Sequence, residues 1–125
     1  MQKVGDDSAG FSVDFPLTGG TLVMGWGFWS SEIARAFAST VIEACRRQRR
    51  GPALMLDLRE LKPMRDEGQR TFSDLLRSLP TLGIAQTSIV TTNPLTKLQL
   101  VRLVKECGVD GIDWIYAADN QKRDG

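Results

Sequence analysis

Phe11, Val13 and Phe15 alternate with Ser12 and Asp14, and that period of two predicts a half-buried strand. Pro16-Leu17-Thr18-Gly19-Gly20 supplies a turn, and Thr21 to Trp26 returns as a second strand, so a hairpin is predicted. The period then lengthens. Ile33, Ala34, Phe37, Ala38, Val41, Ile42 and Cys45 recur at helical spacing, with Ser30 or Ser31 as the N-cap and Glu32 in the first turn. Arg46, Arg47, Arg49 and Arg50 crowd the end of this helix, and Gly51-Pro52 stops it. Ala53 to Leu58 is almost continuously apolar, the pattern of a central strand covered on both faces. A second helix is predicted from near Asp66, carried by Phe72, Leu75, Leu76 and Leu79 and ended by Pro80. Gln86 to Thr92 is rich in β-branched residues and predicts a fourth strand. Asn93 and Pro94 suit an N-cap and first helical position, and Leu95, Leu98, Val101, Leu103 and Val104 predict the apolar face of a third helix ending at Cys107-Gly108. Trp114 to Ala117 is predicted as the fifth and last strand.

The order β-β-α-β-α-β-α-β makes this an α/β chain. Single helices between strands make right-handed parallel crossovers, so one mixed, mostly parallel five-stranded sheet with an N-terminal hairpin is expected. Residues 1–10 are polar and predict a mobile leader, residues 11–118 form the domain, and residues 119–125 are a polar tail.

Composition narrows the function. The 125 residues suit one domain with a sizeable core, and a formal net charge of +1 argues against general nucleic-acid binding. The N-terminal residues lack the apolar centre of a secretory signal, and no run approaches the roughly 18 apolar residues of a membrane span. A soluble, cytoplasmic protein is expected. There is no histidine, which excludes Ser-His-Asp and Cys-His nucleophile systems and the common zinc sites. Cys45 and Cys107 sit inside apolar helical patterns and read as reduced core thiols. No cofactor is implied.

The strongest candidate site is the junction after the third strand, where Arg65-Asp66-Glu67-Gly68 opens a helix. Ligands and partners meet α/β proteins at such strand-to-helix ends. Asp66 and Glu67 read as cap and dipole residues rather than an acid/base pair, because no second polar group is identifiable to shift a pKa. Asp57 invites comparison with a receiver's phosphoacceptor and Thr91 or Thr92 with its hydroxyl, but the early acidic pair and the late lysine are missing. Gly25-Trp26-Gly27 is only a fragment of a dinucleotide-binding glycine pattern. Trp26, Phe28 and Trp29 cluster at another strand-to-helix junction, where at least one is expected to pack in the core; the alternative is a partly exposed aromatic contact surface, in which Trp29 is a candidate partner-binding residue. With Phe11 and Phe15 they exceed what one small core readily hides. A homodimer through the hairpin or the 25–29 junction follows, away from the mutually repelling arginine clusters.

The element order, the strand Leu54-Met55-Leu56-Asp57-Leu58-Arg59-Glu60-Leu61, Gly68 in the loop opening the next helix, Gly83-Ile84 before the fourth strand, and Leu98 to Gly108 before the last together carry a family resemblance. Over residues 11 to 117 the chain resembles the STAS (anti-sigma-factor-antagonist) and SEC14-like superfamily, and that resemblance implies a SpoIIAA-like fold and a protein partner. It also implies a phosphorylatable serine directly before the loop glycine. Here that position is Glu67, a fixed negative charge that cannot be phosphorylated. The expectation is a non-enzymatic, protein-interaction module of the uncharacterised STAS-like branch, binding through Arg65, Asp66, Glu67, Gly68 and Trp29. A carrier or sensor of a lipid or other small molecule, as among SEC14-like relatives, is the alternative.

Overall fold

Ser30 settles the start of the first helix: its Oγ accepts from the Ile33 N–H at 3.3 Å, and helix α1 runs Ser31–Arg47. Asn93 does the same for the third, α3 (Pro94–Cys107), accepting from the Leu95 and Thr96 N–H groups at 2.9 and 3.2 Å. Between them lies α2 (Asp66–Ser78), which Pro80 converts into a 3-10 turn over Leu79–Leu82. The computed structural model describes residues 2–48 and 53–116, so Arg49, Arg50 and the predicted tail lie outside the described residues.

The strands are β1 (Gln2–Gly5), β2 (Gly10–Asp14), β3 (Thr21–Gly27), β4 (Ala53–Leu61), β5 (Gln86–Thr91) and β6 (Ile112–Tyr116). They form one sheet in sequence order, antiparallel from β1 to β3 and parallel from β3 to β6. The predicted α/β class and mixed sheet are as found. The sheet has six strands rather than five, because part of the expected leader is β1.

Side chains of the turn, rather than apolar alternation, create that extra strand. The Asp6 carboxylate accepts from the Ser8 N–H at 2.9 Å, the Ser8 hydroxyl at 2.7 Å and the Ala9 N–H at 3.3 Å. This folds the chain back on itself. Gly5 supplies the positive φ of 99° that the reversal needs, and the Trp26 indole donates to the Asp6 carbonyl at 2.7 Å. Only Val4 in β1 is apolar and partly buried, so the hydrophobic pattern carries no trace of the strand.

Strands that follow one another in order through right-handed crossovers must put every crossover helix on the same face. Accordingly α1 packs on α2 and α2 on α3. The core lies between this layer and the sheet, with Phe11, Val23, Leu54, Leu56, Leu58 and Ile89 from the strands. Phe37 and Phe72 stack at 5.4 Å, joining α1 to α2.

Three expectations are corrected. Trp29 is not a surface residue: it is 6% exposed, its ring lies 4.7 Å from Phe37 and 6.0 Å from Phe11, and its indole donates to the Gly10 carbonyl at 2.9 Å. It ties the hairpin to α1, so it is not free to meet a partner, and Phe11 is buried as well, whereas Phe15 and Phe28 are 45% and 62% exposed. On α3 the buried residues are Thr96, Leu100, Leu103 and Val104, whereas Leu95 and Leu98 are 63% and 66% exposed. The helix is turned about its axis because Thr96 anchors its first turn, donating to the Leu61 carbonyl at 2.9 Å. Finally, β4 is central but covered on one face only, leaving Met55 40% exposed on the other. Cys45 is buried as expected, and burial pushes its thiol pKa up; Cys107 is only half-buried.

Replacing Trp29 by serine removes a buried indole and orphans a carbonyl, at a cost of about 3–5 kcal/mol. Phe28→Ser, on a side chain 62% exposed, is expected to change stability by less than about 0.5 kcal/mol. Urea denaturation compares the two. The Ser8 hydroxyl and N–H, with the Ala9 N–H, hold the Asp6 carboxyl below its ordinary pKa. Its contribution is therefore complete above the ordinary carboxylate range and is lost as pH falls through the lowered value. Asp6→Ala is expected to speed amide exchange in β1 at neutral pH, and the difference from the wild-type chain should vanish in strong acid.

Candidate functional site

The parallel strands β3, β4 and β5 all end at one edge of the sheet, where each runs into the loop before a helix. In open α/β sheets a crevice forms at such an edge where successive connections diverge to opposite faces. Here β3 to β6 progress in a single direction, so no divergence occurs, and what the edge holds is an open hollow of about 360 Å³ between the β4 and β5 ends, lined by Arg59, Glu60, Lys62, Thr92 and Asn93 among others.

The middle loop, residues 62–65, is held by side chains from α2 and α3. Gln99 clasps Met64 with both ends of its amide: Oε1 accepts from the Met64 N–H at 2.7 Å and Nε2 donates to the Met64 carbonyl at 2.9 Å. Gln69 donates to the same carbonyl at 3.0 Å and in turn accepts from Arg102. Lys62 N–H donates to the Gly27 carbonyl at 3.1 Å, and the Thr92 hydroxyl to the Arg59 carbonyl at 2.7 Å. Met64 itself is 4% exposed and packs on Gly68, where a Cβ would approach the Met64 Cβ to 3.0 Å. Gly68 is thus a packing glycine beneath the loop, with no side chain to offer a partner.

The other predicted residues are displayed. Arg65 is the N-cap of α2 without a side-chain capping bond, and both Arg65 and Asp66 are exposed. Asp66 and Glu67 place two carboxylates in the first turn, where the helix dipole favours them. Glu67 is half-buried and accepts from Arg35 of α1 at 3.4 Å. At the same edge stand Phe28, before α1, and Leu95, at the start of α3. They are 62% and 63% exposed. The structure therefore brings Arg65, Asp66 and Glu67 together on one edge, supported by Gly68 below, and separates Trp29 from them into the core.

Asp57 and Arg59 form a two-point ion pair on the sheet, at 2.9 and 2.7 Å, and the carboxylate raises the Arg59 pKa. Asp57 is thereby accounted for as a structural acid. Among the described residues no group of three histidine, cysteine, aspartate or glutamate side chains is placed to hold a metal ion, and no helix is long and apolar enough to cross a membrane. Sequence reasoning missed Gln99, Gln69 and Thr92. Gln99 carried no sequence signal, since Thr96, Lys97 and Arg102 are polar positions of the same helix.

Compared with models of known families and with curated proteins, the sequence matches none. Among solved structures it is similar to an anti-sigma factor antagonist from Mycobacterium paratuberculosis, at 17% identity and a TM-score of 0.60, over 96% of each chain. The chain thus has the STAS, or SpoIIAA-like, fold.

Gln99→Ala removes both bonds to Met64 and leaves a buried N–H unpaired, a loss of about 1–3 kcal/mol. Amide exchange at Met64 is expected to accelerate while α1 keeps its protection. Equal exchange in both proteins would show that the loop is held some other way.

Proposed function

We propose that this chain is a non-enzymatic, cytoplasmic regulatory module that binds a protein partner at the edge carrying Phe28, Arg65, Asp66, Glu67 and Leu95. One observation carries the reading: a charged loop clasped in place by Gln99 lies between two exposed apolar side chains. Apolar anchors beside fixed charges form a contact surface, and a loop held before binding loses little entropy on docking. The similar solved protein is described as an anti-sigma factor antagonist, and we take the same kind of role for this chain. Glu67 stands where the resemblance puts a phosphorylatable serine. Its charge is permanent and already engaged with Arg35, so the proposed contact is constitutive rather than switched by a kinase.

A lipid carrier would need an enclosed apolar chamber. A hollow of about 320 Å³, lined by Gly19, Gly20, Leu22, Met55 and Gln86 among others, lies at the opposite edge and is open to solvent, which favours protein contact over ligand storage.

Affinity capture with the immobilised full chain, in parallel with its Phe28→Ser/Arg65→Glu variant, tests the proposal. A protein retained by the wild-type chain and reduced about thirtyfold by the variant is expected, the size of a hot-spot loss. Equal retention would move the contact elsewhere. Turnover of a phosphatase, esterase or thioesterase substrate that is abolished by Asp66→Ala or Glu67→Ala would overturn the non-enzymatic reading.

A further inference from the structure

We propose that the face of the sheet opposite the helices is the contact between two copies of this chain. Side chains alternate along each strand, so the register assigns Leu22, Met24 and Trp26 of β3, Met55 of β4, Val90 of β5 and Ile115 of β6 to that face. Met24, Met55 and Ile115 are 42%, 40% and 39% exposed. Among the described residues no element covers them. Mostly parallel sheets are normally covered on both sides, which is why β4 reads in sequence as a doubly buried strand.

The face is preorganised. Trp26 lies down over Gly10, where a Cβ would come within 3.0 Å of its ring, and its indole is fixed to the Asp6 carbonyl. The central charges cancel, because Asp57 and Arg59 already satisfy each other. Ser12 and Ser88 are small and buried among their neighbours. Six strands about 4.8 Å apart, four to nine residues long and six on average at about 3.3 Å per residue, cover roughly 29 by 20 Å. Two such faces together remove about 1,200 Å² in projection alone, the lower bound of a specific interface.

Charge selects a second copy as the occupant. At one margin of the face β1 carries Lys3, which also lies 5.8 Å from the Trp26 ring and 3.5 Å from Asp7; at the other margin β6 carries Asp113. A two-fold axis parallel to the strands lays β1 of one copy over β6 of the other and β3 over β4. The register sets Lys3 level with Ile115, so each Lys3 lies over Ile115 of the other copy with Asp113 two residues along β6, about 7 Å away and within a lysine's reach, while Leu22 and Met24 of β3 lie over Met55 and the paired Asp57 of β4. The contact is isologous and closes. It is independent of the partner-binding edge and does not rest on that reading.

Sedimentation equilibrium of the full chain at micromolar concentration tests it. The wild-type chain is expected to be a dimer, and Met55→Glu, on an exposed position, a monomer with an unchanged circular dichroism spectrum and a melting temperature that, unlike the wild-type chain's, does not rise with protein concentration. Lys3→Asp and Asp113→Lys are each expected to weaken the dimer roughly threefold or more, and the double exchange to restore it. A monomeric wild-type chain overturns the proposal and leaves the face to a different protein. A dimer indifferent to both Met55→Glu and Met24→Glu overturns it equally. A double exchange no stronger than either single one rejects the two-fold.

Discussion

Handedness is the constraint on which this structure depends. Three right-handed crossovers join four strands that follow one another in order, so α1, α2 and α3 have no choice but to share a face. The buried apolar side chains of the helices are then all aimed at one side of the sheet. Phe37, Phe72, Leu75 and Leu100 meet the strands there, all fully buried. The same constraint removes the divergence of connections that would have opened a crevice at the strand ends, and it leaves the second face of the sheet without helices. Core, strand-end edge and bare face are three outcomes of one topology.

The hairpin is fastened to this layer by Trp29. Its ring sits against Phe37 of α1 and Phe11 of β2, and its indole reaches the Gly10 carbonyl. Because β2 is joined to the parallel strands only along β3, this contact through the core is a second fastening between the antiparallel and parallel halves. Close approach is possible because Gly25 has no side chain: a Cβ there would come within 3.1 Å of the Trp29 ring. A tryptophan two positions from the helix N-terminus thus looks like a surface aromatic in sequence and is a keystone of the interior.

That misreading shows where sequence pattern stops. Periodicity located α1 and α2 because their apolar residues and their buried residues coincide, Phe37, Val41 and Cys45 in one and Phe72, Leu75 and Leu76 in the other. It failed on α3, where leucines occupy both faces and a threonine hydroxyl on the Leu61 carbonyl decides the rotation. It failed on β1, whose existence rests on hydrogen bonds to Asp6 rather than on apolar area. For the candidate site, Arg65, Asp66 and Glu67 were legible because a helix start announces itself locally. The clasp by Gln99, thirty-five positions from Met64, was not, since only the folded topology brings α3 beside that loop.

The proposed binding edge and the proposed dimer face are different surfaces of the sheet, its strand ends and its strand sides, so the two contacts do not compete for the same residues. A partner held at Phe28, Arg65 and Leu95 would touch strand ends, whereas a second copy laid on Met24, Met55 and Ile115 would touch strand sides. Rotation about an axis parallel to the strands preserves their direction, so both copies would present their binding edges the same way. A dimer of this geometry is bivalent toward a partner that is itself paired or tethered. The second contact then becomes intramolecular, and retention rises through effective concentration without any new side-chain contact. A permanently charged Glu67 is compatible with such a device, because its strength is set by self-association rather than by modification of the loop.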